Sequence, residues 1–188
     1  IMESEDRRDR IDASALRHYK FVDYDLSADV LFCKVDKQVF GKDILIGGVY
    51  YPPENSPYFD RQAFKNLENS VAFLEFDSIC LMGDFNARTG VLSDVDLDES
   101  VCSGDEFWST AGDFNFLDKS VNFMGLELLD FCKTMSCCIV NGRVGQPDNC
   151  KLFTCKDASV VDYVVVSLDL FKLVTDFKIN EFCELFSD

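Results

Sequence analysis

A single domain in which strands and helices are mixed is the architecture expected of this chain. Three features carry the expectation. Residues 44–51, 78–82 and 160–167 are apolar, β-prone runs bounded by turn residues. Phe64, Leu67, Val71 and Leu74, and later Leu126, Leu128, Leu129, Cys132 and Met135, recur at helical spacing. The apolar content, 47% hydrophobic with 18 Phe in 188 residues, suffices for one sizeable core and argues against a disordered chain.

Composition excludes several classes. No apolar run approaches the roughly 20 residues needed to span a bilayer, and no signal-peptide pattern opens the chain, so a soluble, intracellular protein without membrane contact is expected. The opening Ile1-Met2-Glu3-Ser4-Glu5-Asp6-Arg7-Arg8-Asp9-Arg10 reads as cut from something longer. Nine cysteines include no CxxC pair, and the one histidine, His18, lies far from them, which argues against a zinc site. Cys33, Cys80, Cys132 and Cys183 fall inside apolar patterns and are expected to be reduced core residues. With 18 Lys+Arg against 34 Asp+Glu, the net charge of −16 has the wrong sign for gripping phosphates over a wide surface. Either the substrate is small, or a local basic groove and metal ions act, or nucleic-acid binding has been lost.

Taken in order, residues 1–27 are polar and mixed in charge, and a poorly ordered lead-in with a solvated His18 is expected. Residues 28–36 read as a strand, 38–43 as a turn on Gly41, and 44–51 as the returning hairpin partner. Pro52-Pro53 stops it, because proline cannot donate to a ladder. Tyr50 and Tyr51 therefore sit at a strand's carboxyl end, where one hydroxyl can reach a cleft or both can line a rim. Ser56-Pro57 reads as a helix start, and the helix presents Phe64, Leu67, Val71 and Leu74 to the core.

That helix leads to the stretch around which the chain is organised, Leu81-Met82-Gly83-Asp84-Phe85-Asn86-Ala87-Arg88-Thr89-Gly90. After the strand ends at glycine, Asp84 and Asn86 stand two apart and project to one side, with Phe85 turned into the core. The carboxylate can take a proton or hold a metal, and the amide can orient a phosphate or a water. Gly112-Asp113-Phe114-Asn115 repeats the letters after Ser109-Thr110-Ala111 rather than after an apolar strand, and reads as loop.

Residues 91–121 lack any apolar period. Asp94, Asp96 and Asp98 alternate as calcium-loop ligands would, but the glycine and the closing glutamate are misplaced, so a solvated acidic loop containing Glu99, Asp105 and Glu106 is expected. A helix after Gly125 follows, then a buried strand at 138–140 ending at the turn dipeptide Asn141-Gly142, and a short strand at 152–155. Asp162 is set within the β-prone run 160–167. An unpaired buried carboxylate costs several kcal/mol, so it needs a partner, a metal or a catalytic group, unless it is a hydrogen-bonded acceptor holding a loop. A short helix over 168–174 and a strand over 177–182 close the chain.

Three stretches now stand in one order: a strand ending in tyrosine and proline, Gly-Asp-Phe-Asn, then Val-Asp-Tyr. With the terminal Ser187-Asp188, the chain resembles the endonuclease/exonuclease/phosphatase superfamily, which includes apurinic endonucleases and deoxyribonuclease I. It is most similar to the endonuclease domain of non-LTR, jockey-like retrotransposon polyproteins. The matching stretches are Val49-Tyr50-Tyr51-Pro52-Pro53-Glu54-Asn55-Ser56, Met82 to Gly90, Gly125-Leu126-Glu127-Leu128-Leu129-Asp130-Phe131-Cys132, Val140-Asn141-Gly142-Arg143, Phe153-Thr154-Cys155 and the run from Ser159 to Ser167, nearly continuous over residues 29–188.

The resemblance implies a four-layered α/β sandwich, two packed β-sheets flanked by helices, covering residues 28–188. It implies phosphodiester hydrolysis of DNA with magnesium or manganese, and a nuclear location if the target is genomic DNA. A C-terminal reverse transcriptase is the implied partner in a full-length protein. Carried over by position, Tyr50 contacts the scissile phosphate or its leaving oxygen, Asp84 activates or positions the attacking water, and Asn86 holds the phosphate. Asp162 orients the catalytic histidine, and Asp188 lies close to the metal. The family's metal-binding glutamate falls before residue 1 and its histidine just after Asp188, so incomplete sheets and little or no catalysis are expected of these 188 residues. Two other readings stay open: a non-catalytic interaction module, and a phosphatase or phosphodiesterase of the same fold acting on a small or lipid phosphate, which the acidity favours and Asn86-Ala87-Arg88-Thr89-Gly90 opposes.

Overall fold

A computed structural model describes residues 19–22, 29–95, 117–145, 152–155 and 158–180. Strands β1 (Tyr19–Val22), β2 (Val30–Val35), β3 (Ile44–Tyr50), β4 (Ser78–Asp84), β5 (Cys137–Ile139) and β6 (Asp162–Ser167) form one sheet in the order β1-β2-β3-β4-β6-β5. β3 and β4 run parallel, and the other neighbours run antiparallel. The parallel pair needs a crossover, and helix α2 (Ala63–Ala72) provides it.

Alternation along the strands builds two cores. Phe32, Leu45, Val49, Ile79, Leu81, Tyr163 and Val165 share one face, where α2 contributes Phe64, Leu67 and Val71. Helix α3 (Phe123–Thr134) adds Met124, Leu128, Phe131 and Cys132. On the opposite face Cys138, Val140 and Val166 meet Val95 and Phe171, the last from the short helix α4 (Leu168–Phe171). The mixed α/β class is as expected.

Several boundaries differ from expectation, each for a local reason. α2 starts at Ala63 rather than at Ser56-Pro57, because side chains there take over the backbone. Asp60 accepts from the Gln62 amide and from Asn66, and Ser56 accepts from the Tyr58 amide. The turn before β3 contains a helical turn, α1 (Lys37–Phe40), capped by Asp36 and closed by Gly41 at φ 78°. α3 starts at Phe123, ahead of Gly125, since the Asn122 side chain caps the Gly125 amide. Glycine is required there: a Cβ would overlap the Arg88 carbonyl oxygen.

Residues 152–155 are not a strand; they form one bridge, Cys155 to Ser159, with no neighbouring ladder. Residues 177–180, the described part of the expected strand over 177–182, are not in a strand, and α4 is shorter than 168–174. Tyr19–Val22, inside the expected lead-in, pairs with β2 instead, a run too short and too surrounded by charge to be read locally. The rest of the lead-in with His18, the loop residues Asp96, Asp98, Glu99, Asp105 and Glu106, the second Gly-Asp-Phe-Asn copy, Cys183 and Asp188 lie outside the described residues.

Cys132, Cys137 and Cys138 are buried, Cys33, Cys80 and Cys155 partly so, and all six are free thiols. Burial pushes the Cys80 thiol up to about 11 and Cys137 and Cys138 up to about 12, which leaves them unreactive as nucleophiles. Asp94 departs from the solvated setting expected for the acidic loop. It is fully buried and paired with Arg143, whose Nη1 lies 2.8 Å from its Oδ2. A buried charge requires such a partner, and Arg143 arrives from a turn distant in sequence.

Candidate active site

The sheet register assembles the site. β3 and β4 run parallel and end at the same rim, and antiparallel β6 begins there. Tyr50 is the cross-strand partner of Asp84, and Asp84 is the partner of Asp162. Cross-strand neighbours share a face, and the row lies opposite the main core, into which Val49, Phe85 and Tyr163 point. The two tyrosines at the end of β3 are thereby separated. Tyr50 is 58% exposed, whereas Tyr51 is buried against Phe64 and Phe85, its hydroxyl donating to the Ala63 carbonyl at 3.4 Å.

A tight turn follows Asp84. Gly83 has φ 140°, and a Cβ there would overlap the Val49 carbonyl oxygen, so only glycine lets β3 and β4 meet at this rim. Asn86 adopts φ 47°, in the left-handed region. Its amide donates to Asp84 Oδ1 at 2.8 Å, and its Nδ2 donates to the Tyr51 carbonyl at 2.8 Å. Asp84 and Asn86 do come together as expected, through a left-handed turn rather than an extended segment. Phe85 is fully buried, also as expected.

Asn122, missed from the sequence, braces this turn. Its Nδ2 donates to the Asn86 carbonyl at 2.8 Å, and its Oδ1 accepts from the Arg88 and Gly125 amides, also at 2.8 Å. An asparagine just ahead of a helical period is an N-cap signature, so this signal was present. Arg88 grips Asp118 through Nε and Nη2 at 2.8 and 2.7 Å. Asp118 also accepts from the Ser120 and Val160 amides, tying three loops together behind the site.

Burial pushes the half-buried Asp84 carboxyl above the usual range and the facing Asp162 adds to the rise, while the Asn86 amide partly opposes it. Asp162 is the first residue of β6 and half-buried, not set in the strand's interior, so the burial cost expected for it is reduced. Its backbone is held on both sides. The amide donates to Thr154 Oγ1 at 3.1 Å, and the carbonyl accepts from Asn141 Nδ2 at 3.0 Å. Thr154 belonged to a matching stretch but carried no separate signal.

Two facing carboxylates suit a hard divalent cation such as magnesium, which takes one or two carboxylates and fills its shell with water and phosphate oxygens. Asp84 and Asp162 are the facing pair at this rim. Among the described residues no group of three or more His, Cys, Asp or Glu side chains is placed to bind a metal. The structure thus brings together Tyr50, Asp84, Asn86 and Asp162.

The arrangement of strands and helices matches that of a solved structure of the endonuclease/exonuclease/phosphatase fold. The chain matches the endonuclease domain of TRAS1, a telomere-specific non-LTR retrotransposon, with a TM-score of 0.54 and 13% identity, over 87% of this chain and 60% of that one. It thus spans 60% of the length of that domain. Weaker likenesses are to the inositol polyphosphate 5-phosphatase domain of SPsynaptojanin, in complex with inositol (1,4)-bisphosphate and a calcium ion (TM-score 0.40, 11% identity, 82% of this chain and 49% of that one). The 3' phosphatase NExo from Neisseria, bound to a product DNA hairpin, is comparable (TM-score 0.41, 14% identity, 82% of this chain and 59% of that one). No family model and no curated protein matches the sequence. Among the described residues, no helix is long and apolar enough to cross a membrane.

Proposed function

We propose that this chain is a divalent-metal-dependent phosphodiesterase domain acting on DNA, of the retrotransposon-endonuclease kind. The row Tyr50–Asp84–Asp162 on three adjacent strand ends, with Asn86 folded against Asp84, carries the reading. Asp84 takes a proton from the attacking water as the new P–O bond forms, and burial, which raises its carboxyl above the usual range, makes it a stronger base than a solvated carboxylate. Asn86 donates to a phosphate oxygen, and the exposed Tyr50 hydroxyl donates to the phosphate or the departing oxygen as the P–O bond opposite breaks. Asp162 supplies the second carboxylate, placed to orient an imidazole. Magnesium or manganese, when bound, neutralises charge on the phosphate. Asp188 is proposed to lie near the metal. A reverse transcriptase following this domain, and a nuclear site of action, belong to the same reading.

The net charge of −16 favours a second reading, hydrolysis of a small phosphate ester. Supercoiled-plasmid nicking with added magnesium tests both readings. The 188-residue chain, its Asp84→Ala variant, and the chain extended by its flanking coding sequence are compared, with inositol phosphates as competing substrates. Nicking abolished by Asp84→Ala supports the DNA reading, and phosphate release from inositol phosphates without nicking supports the second. No turnover by any form, with all of them folded, leaves a non-catalytic interaction module.

A further inference from the structure

Asn141, Gly142 and Arg143 form a turn that the proposed chemistry leaves unused, yet it reaches the site from behind. β5 ends at Ile139 and the chain turns at Asn141, while β6 continues past it toward the rim. The last backbone bond between them runs from the Val140 amide to the Val164 carbonyl at 2.8 Å. Beyond it the buried Asn141 carboxamide stands in for the missing strand. Its Oδ1 accepts from the Val164 amide at 2.9 Å, and its Nδ2 donates to the Asp162 carbonyl at 3.0 Å.

The other side of the turn is equally fixed. Ile139's outward amide donates to Asp94 Oδ2 at 2.7 Å, and its carbonyl accepts from Arg143 Nη1 at 2.9 Å. The Asp94–Arg143 ion pair therefore closes the edge of the sheet where a further strand would pair. Asn141 cannot drift, because its own strand is gripped on its far side by a buried carboxylate and guanidinium.

From this geometry we infer that Asn141 is a positioning residue for Asp162, setting the height and orientation of that carboxylate relative to Asp84. The inference rests on reading the rim as a phosphodiesterase site. One hydrogen bond goes to the residue itself and one to the residue two beyond it, so the carboxamide fixes the end of β6 in the direction along the strand. The Thr154 hydroxyl accepts from the Val161 and Asp162 amides and holds the other side of the same residue.

Two variants of the whole chain test the inference, with unfolding melts confirming that each folds. Asn141→Ala removes both bonds, whereas Asn141→Asp keeps an acceptor for the Val164 amide and loses the donor to Asp162. Hydrogen exchange at the Val164 amide should rise on the order of tenfold in Asn141→Ala and stay near wild type in Asn141→Asp. The Asp162 carbonyl-carbon resonance should move in both, and the Ile79 and Leu81 amides in neither. In the nicking assay both variants should lose kcat with KM unchanged, since a carboxylate displaced from its reacting position weakens the transition state alone.

An unmoved Asp162 resonance, or exchange that rises evenly over the whole sheet, overturns the positioning role. The resonance and exchange arms do not depend on turnover. If they come out as expected while neither the wild-type chain nor its extended form nicks, the placement of Asp162 stands and the phosphodiesterase reading falls. If wild type nicks and the variants match it in kcat, the positioning role falls alone.

Discussion

Asp84 and Asp162 face each other across antiparallel strands, each the other's cross-strand partner at the rim of the sheet. Burial raises the Asp84 carboxyl first, and the Asp162 charge raises it further. If Asp84 acts as the base, activity should climb with pH through that raised value and then level. Asp162→Asn removes the repulsion, so the acid limb should move to lower pH even where the maximal rate falls. Rate profiles from pH 4 to 9, with the Asp84 carboxyl followed by carbon NMR, check both the direction and the assignment.

The same shift has a stability consequence. A carboxyl whose folded pKa lies above its unfolded value favours the folded state at low pH, and that contribution is lost as pH rises through the folded value. Above that folded value Asp84 is ionised in a place that resists ionisation. Asp84→Asn should abolish activity yet raise the melting temperature slightly, by about 1–3 °C at pH 7, since the amide oxygen still accepts from Asn86. Melting curves at pH 4 and pH 7 should show the gain only at the higher pH.

Gly83→Ala should destabilise the chain by at least about 3 kcal/mol. The added methyl would strike the Val49 carbonyl and the residue would be held at φ 140°, so β3 and β4 would separate at the end that carries Tyr50 and Asp84. Urea unfolding measures the loss. Exchange of the Tyr51 amide, which donates to the Asp84 carbonyl at 2.8 Å, reports where it falls.

Arg143→Met should cost about 3–5 kcal/mol, because it removes the guanidinium partner of a fully buried carboxyl. Asp94→Leu combined with Arg143→Met should recover part of that, though the Ile139 amide then loses its acceptor. A double-mutant cycle from urea midpoints gives the coupling, and a coupling near zero would contradict a paired, desolvated geometry.

What a residue's neighbours in sequence can encode was legible from the start. Alternation marked β2, apolar β-prone runs bounded by turn residues marked β3, β4 and β6, helical spacing marked the buried faces of α2 and α3, and Gly83-Asp84-Phe85-Asn86 marked a turn with its phenylalanine inward. Those features follow from backbone sterics and side-chain period, which act over a few residues. Only the tertiary structure decided the rest. Tyr50 rather than Tyr51 faces outward because the pairing of β3 with β4 sets the face. Asp94 is buried rather than solvated because Arg143, 49 residues away, neutralises it. Residues 152–155 are not a strand while Tyr19–Val22 are, because a strand exists only where another is in register to take its hydrogen bonds. Local pattern thus determined which residues have carboxylates and amides to offer at strand ends, and long-range pairing determined that Tyr50, Asp84 and Asp162 stand in one row.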